Sequence, residues 1–101
     1  MSDYILGTGA ESDLEAIWEF IAQDDVDAAD RWIEKLFHAF DSLVRNPGLG
    51  HTREDLTPQP VLFWSVGAYL IIYRVPHQTV EIVAVTHGSR DIPNFLNMRT
   101  H

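Results

Sequence analysis

The sequence predicts an α+β fold: an N-terminal strand, a helical hairpin, then a three-stranded antiparallel meander completing a small twisted sheet, with a short C-terminal helical turn. Three observations carry this. Apolar residues recur at helical spacing through two runs in the first half. Three runs rich in Val, Ile and aromatic residues fill the second half. Pro and Gly clusters punctuate the boundaries. At 101 residues and 46% apolar content the chain suits one modest core, so residues 1–101 read as a single domain.

Tyr4 to Leu6 is a short apolar run suited to a first strand. Thr8-Gly9-Ala10-Glu11 has the Thr-x-x-Glu spacing of a capping box, in which the two side chains satisfy free amides, so a helix is expected to start there. Leu14, Ile17, Trp18 and Ile21 then follow at i, i+3, i+4 and i+7, with Asp13, Glu15 and Glu19 mostly on the other side. The Gln23-Asp24-Asp25 break offers N-cap side chains for a second helix, whose apolar positions are Val26, Ala29, Ile33, Leu36, Phe37, Phe40 and Val44. Asp27 and Asp30 sit near its positive end. Asn46-Pro47-Gly48 ends it, because a residue before proline is pushed out of the helical region.

Leu49 to Pro60 reads as a surface loop with definite contacts, too short for a domain linker. Val61–Val66, Ala68–Val75 and Val80–Thr86 follow as strands in hairpin order, broken at Gly67 and at Pro76-His77-Gln78. They are apolar on both alternations, so one face is expected on the helices and the other at least partly covered, a partner being one candidate. Asp91 and Pro93 can open a last helical turn that buries Ile92, Phe95 and Leu96.

The formal charge of −8 is uneven: residues 1–41 carry −9, residues 42–101 carry +1 and four of the five histidines. An acidic chain repels the phosphate backbone, so autonomous DNA or RNA binding is not expected; the ordinary use of such charge is to solvate helix faces. The absence of cysteine removes disulfides and thiolate metal sites and suits a reducing cytoplasm. No apolar run approaches the roughly 20 residues that span a bilayer, and Asp3 stands where a signal peptide needs positive charge, so a cytoplasmic chain without membrane contact is expected.

The residues point to a binder. His38, His51, His77, His87 and His101 show no ligand-pair spacing, so no metal or other cofactor is expected. Ser65 and Ser89 lack the flanking signature of a nucleophile. Arg53 and Arg74 suit structural ion pairs with Glu54, Asp55 or Asp91 and can also contact a partner. His87, before Gly88 at a strand end, reads as a satisfied turn histidine. Trp18, Trp32 and Trp64 read as core or its rim, with Trp64 also placed to anchor an interface.

Leu14-Glu15-Ala16-Ile17, Asn46-Pro47-Gly48, His51-Thr52-Arg53-Glu54-Asp55-Leu56, Tyr69-Leu70-Ile71-Ile72-Tyr73-Arg74 and His87-Gly88-Ser89-Arg90-Asp91, in that order and spacing, resemble the RelE/ParE superfamily of toxins from type II toxin–antitoxin modules, which also serve plasmid stabilisation. The ParE branch is the nearer. The resemblance spans nearly the whole chain and resides in the order of its pieces. It implies a compact toxin held in a hetero-oligomer by a cognate antitoxin, ParD-like or similar, that supplies any operator-binding fold. It further implies that ParE relatives poison DNA gyrase and block replication without enzymatic chemistry, whereas RelE relatives cut mRNA in the ribosomal A site.

The two outcomes make different demands. RNA cleavage needs a general base, a general acid and positive charge around the phosphoryl group. The candidates are Arg53, Arg74, His87 and Arg90, with His51 and Tyr73 as extras, but the sole lysine, Lys35, falls on an acidic helix and no basic surround accompanies them. The expectation is therefore a non-enzymatic gyrase poison, with the endoribonuclease and a non-toxic antitoxin-binding relative as rivals. The C-terminal segment Arg90 to Met98, an exposed appendage with an apolar face, is expected to contact the target through Arg90, Ile92, Phe95 and Leu96, and loss of residues 90–101 to abolish toxicity while leaving the folded antitoxin complex. Arg53, Trp64, Tyr69, Tyr73 and Arg74 are expected to contact the antitoxin, an amphipathic helix followed by an extended segment with basic residues toward the acidic helices.

Overall fold

A computed structural model describes residues 4–99. The chain runs β1 (Tyr4–Leu6), α1 (Thr8–Ala22), α2 (Val26–Arg45), β2 (Leu62–Val66), β3 (Tyr69–Arg74), β4 (Val80–His87) and α3 (Ile92–Arg99). One four-stranded sheet has the order β1-β4-β3-β2. The meander is antiparallel, and β1 joins it parallel to β4, with Tyr4 opposite Val80 and Leu6 opposite Ile82.

The capping box does not form. The Gly7 amide continues the sheet ladder to the Ile82 carbonyl at 3.0 Å, so Gly7 itself becomes the N-cap and Thr8 the first helical residue, with no side-chain cap. α2 begins as expected: Asp25 accepts a hydrogen bond from the Ala28 amide at 3.0 Å. Leu36, Phe40 and Leu43 are fully buried, whereas Val26, at 53% exposure, lies outside the core. Trp18 Nε1 donates to Asp30 Oδ1 at 2.8 Å and ties the two helices together. At the β2–β3 turn Gly67 takes φ +59°, and a side chain there would meet the Trp32 ring at 2.5 Å.

The sheet separates two apolar layers. Ile71, Tyr73, Val80, Ile82 and Val85 pack with α1 and α2. Val61, Phe63, Ile72 and Ala84 pack on the other side with Ile92, Phe95 and Leu96 of α3. The second face is thus covered by the chain's own C-terminal helix, which runs for eight residues where one turn was expected. Asp91 caps it, accepting from the Asn94 amide at 3.3 Å. Burying each of those three side chains contributes about 1.5–3 kcal/mol.

β1 covers only the start of β4. Beyond it, Asp13 of α1 and Arg99 of α3 complete the edge: Asp13 Oδ2 accepts from the Val85 amide at 2.9 Å, an Arg99 Nη donates to the Val83 carbonyl at 3.1 Å, and the two side chains pair at 2.6 Å. Asp13 therefore faces the sheet and not the solvent side of α1. Val83 is the extra residue of a bulge, since Tyr73 lies opposite Ile82 and Ile72 opposite Ala84.

Candidate functional site

The charged candidates fall in three separate places. Arg74 ends β3 directly opposite Glu81, and its Nε donates to Glu81 Oε1 at 2.7 Å. The carboxylate raises the Arg74 guanidinium above its ordinary pKa, first through the hydrogen bond and then through charge. Strand alternation places Arg74 on the α3 face, where it lines a small cleft with Val61, Leu96 and Arg99.

His87 occupies the opposite end of β4, facing Tyr69 across the ladder, on the face that carries α1 and α2. Its Nδ1 accepts the Ser89 amide at 3.1 Å and lies 2.7 Å from the Ser89 hydroxyl, so the neutral ring holds its proton on Nε2. It is a satisfied turn histidine, with Ser89 as partner. Arg90 follows in the same turn and stands 4.7 Å over the Phe95 ring. A largely apolar groove of about 390 Å³ joins His87 and Arg90 to Ile17, Phe20 and Val85.

Arg53 lies in the loop before β2, bonded to both oxygens of Asp55 at 2.9 and 2.7 Å. That fork holds the Asp55 carboxyl below its ordinary value and raises Arg53, in each case mainly through the hydrogen bond. His51 pairs with Phe63 on the outer edge of β2, and a groove of about 340 Å³ runs past His51, Arg53, Trp64, Ser65 and Leu70.

Arg53, Arg74, His87 and Arg90 are therefore not one constellation. Arg74 and His87 are separated by five residues of β3, about 17 Å at strand rise, and lie on opposite faces of the sheet. Only His87 and Arg90 are neighbours, and two of the three arginines are already held by carboxylates. Among the described residues no group of three His, Cys, Asp or Glu side chains is arranged to hold a metal ion, and no helix is long and apolar enough to cross a membrane.

Several expected partner contacts are structural. Tyr73 is fully buried: its hydroxyl donates to the Pro47 carbonyl at 2.7 Å and accepts from the Gly50 amide at 2.8 Å, leaving nothing for an antitoxin. Tyr69 is buried between Trp32 and His87. Ile92, Phe95 and Leu96 form the second core layer and do not face outward, because the sheet beneath them is apolar. Trp64 remains partly exposed, and Arg53, Arg74 and Arg90 are exposed. The exposed side of α3 carries Asn94 and Met98, the latter 71% exposed; both lie within the Arg90 to Met98 segment expected to meet the target, but that segment is packed on the sheet and its apolar face points inward.

This architecture meets its relatives in sequence. A profile described as the ParE toxin of the type II toxin–antitoxin system parDE matches residues 4–92. The chain belongs to the ParE toxin family. It is similar to the toxin ParE1 of two Mycobacterium tuberculosis strains, 31% identical over 93 residues that make up 90% of this chain and 94% of the relative. A protein of Sinorhizobium fredii is 30% identical over 83 residues, 82% of this chain and 84% of its own length. As a ParE-type chain, it is the toxin half of a type II toxin–antitoxin module.

Proposed function

We propose that this ParE-family toxin arrests growth by binding DNA gyrase and holding it on cleaved DNA, and that a cognate antitoxin neutralises it by covering the same small domain. The observation that supports binding over RNA cleavage is the separation of Arg74 from His87 by the sheet itself. An acid–base pair for 2′-hydroxyl attack must reach one phosphoryl group within hydrogen-bond distance, and side chains on opposite faces do not. The contact surface for the target is the exposed side of α3 with the preceding turn, Arg90, Asn94 and Met98. The antitoxin is expected along the β2 edge groove, against Arg53 and Trp64, and at Arg74.

The test expresses the chain alone and follows DNA supercoiling and protein synthesis together. Supercoiling should fail first, and purified toxin should trap gyrase–DNA cleavage complexes. The triple variant R53A/R74A/H87A, which removes three of the four nuclease candidates and keeps Arg90 for target contact, should still arrest growth. Cleavage of translated mRNA by purified toxin with gyrase unaffected would sink the proposal.

A further inference from the structure

The outer edge of β4 fills rung by rung. Beyond the bulge at Val83 the odd-numbered residues turn their amides and carbonyls away from β3, since Asp13 bonds the Val85 amide and Arg99 the Val83 carbonyl. The even-numbered ones face β3, and Gly88 still bonds the Ala68 carbonyl at 2.8 Å. A residue of a strand running parallel to β4 bonds the carbonyl of one β4 residue and the amide two residues on. β1 is such a neighbour as far as Ile82, and the Asp13–Arg99 pair reproduces the pattern with side chains, donating to Val83 and accepting from Val85. One rung follows. The His87 carbonyl is taken by the Arg90 amide at 3.0 Å, whereas among the described residues the Val85 carbonyl and the His87 amide have no partner. An antiparallel neighbour exchanges both bonds with a single residue, and at Val85 and at His87 one of the two groups is already used. What is left open is a rung for a parallel strand, centred on Thr86.

A groove leads to this rung. The cavity of about 390 Å³ beside it is lined by Val85, Thr86 and His87, consecutive residues that point to both strand faces, so it runs along the edge. Ile17 and Phe20 wall it on the α1 side, with Phe20 70% exposed. Arg90 walls it on the α3 side, over Phe95, and pairs with no carboxylate among the described residues.

We infer that the end of β4 receives an extended strand of a partner protein, running parallel to β4, with an acidic residue opposite Thr86 and an apolar residue on each side of it. The acidic residue donates its amide to the Val85 carbonyl and accepts from the His87 amide. Its side chain falls on the Thr86 face, beside Arg90, and its two neighbours fall on the face of Ile17 and Phe20. Asp13, at the head of the groove, is matched by Arg99 at 2.6 Å, so the incoming carboxylate meets Arg90 as the unmatched charge. In the described strands of this chain the apolar–acidic–apolar triplet is Val80-Glu81-Ile82, which is held between β1 and β3, so a second copy has no such strand to offer. The inference does not rest on gyrase as the target. It shares Arg90 with the target surface proposed above, so the strand and the target compete for that residue.

The probe is an acetylated peptide of about six residues with Val-Glu-Val at its centre, titrated into the isotope-labelled chain while amide exchange is followed by NMR. The His87 amide should gain protection. Methylating the glutamate nitrogen of the peptide removes the donor to Val85 and should weaken binding by up to about tenfold, whereas methylating the nitrogen of the following valine, which points away from β4, should leave it unchanged. R90E should lose about tenfold, and a Val-Lys-Val peptide should recover the affinity of that variant. Circular dichroism and melting establish that R90E folds. No protection of His87 in the folded wild type, no greater loss from the glutamate methyl than from the valine methyl, or R90E binding like wild type would each overturn the inference. Protection of His87 that rises with chain concentration and without peptide would put a second copy on this edge and overturn it as well. Because neither gyrase nor growth enters this readout, failure of the gyrase proposal leaves it standing, and its own failure leaves that proposal standing.

Discussion

Tyr73 works in both directions at once, accepting from Gly50 and donating to Pro47, and so fastens the Pro-Gly turn to the underside of the sheet. Replacing Tyr73 by Phe leaves a buried amide and carbonyl short of a partner and should cost about 1–3 kcal/mol in denaturant unfolding. Burial raises the Tyr73 hydroxyl above its ordinary value of 10.0, against a smaller lowering from the Gly50 amide. The folded chain therefore keeps that proton when the unfolded chain has lost it, and stability should fall as pH rises past about 10. The Phe variant should show a shallower fall, with the remainder from Tyr4, which is raised by burial and by Asp41. Local pairings were legible: Arg53 meets Asp55 two residues away. The hydroxyl lock was not, since its partners lie 23 and 26 residues distant. Nor was the Asp13–Arg99 pair, whose arginine fell beyond the expected helical turn.

Between β3 and β4 the chain turns through His77 at φ 51°, ψ 41° and Gln78 at φ 66°, with the Thr79 amide bonded to the Pro76 carbonyl at 3.0 Å. Both central residues are left-handed, the geometry of a type I′ hairpin turn, and neither is a glycine or asparagine. H77N/Q78G should therefore stabilise the domain by about 1–2 kcal/mol and raise Tm by several degrees, measured by calorimetry. No gain would mean that the native pair makes compensating contacts. The strand boundaries here were readable from β-branched runs and their breakers. The start of α1 was not, because the Thr8–Glu11 spacing signals a cap only if the preceding residue is free to turn, and Gly7 is still bonded to the sheet.

Across the whole molecule, helices lie on both faces of one sheet, and α3 closes the smaller layer. Deleting residues 90–101 strips Ile92, Phe95 and Leu96 from Val61, Phe63, Ile72 and Ala84, and removes Arg99 from the edge of β4. The truncated chain should lose its cooperative melting transition, so loss of toxicity on truncation would report unfolding; R90E/M98E, on the exposed side, should keep the wild-type stability within about 0.5 kcal/mol and isolate target contact. A truncated chain that melts cooperatively would show that α3 is dispensable. The hydrophobic alternation foretold that the second face was covered. It carried no information on whether the cover was a partner or the chain's own tail, because an apolar strand reads the same beneath either.

The pairing of β1 with β4 joins Tyr4 to Val80, the first described residue to one about four-fifths of the way along the sequence. During synthesis the opening strand must wait for the last one to leave the ribosome, and closing so long a loop is slow. α1 and α2 can meet early, but the sheet that carries Arg74 and His87 is completed only once β4 has been made. The helical hairpin can thus form before the sheet that it covers, and closure of β1 on β4 is expected to limit the folding rate.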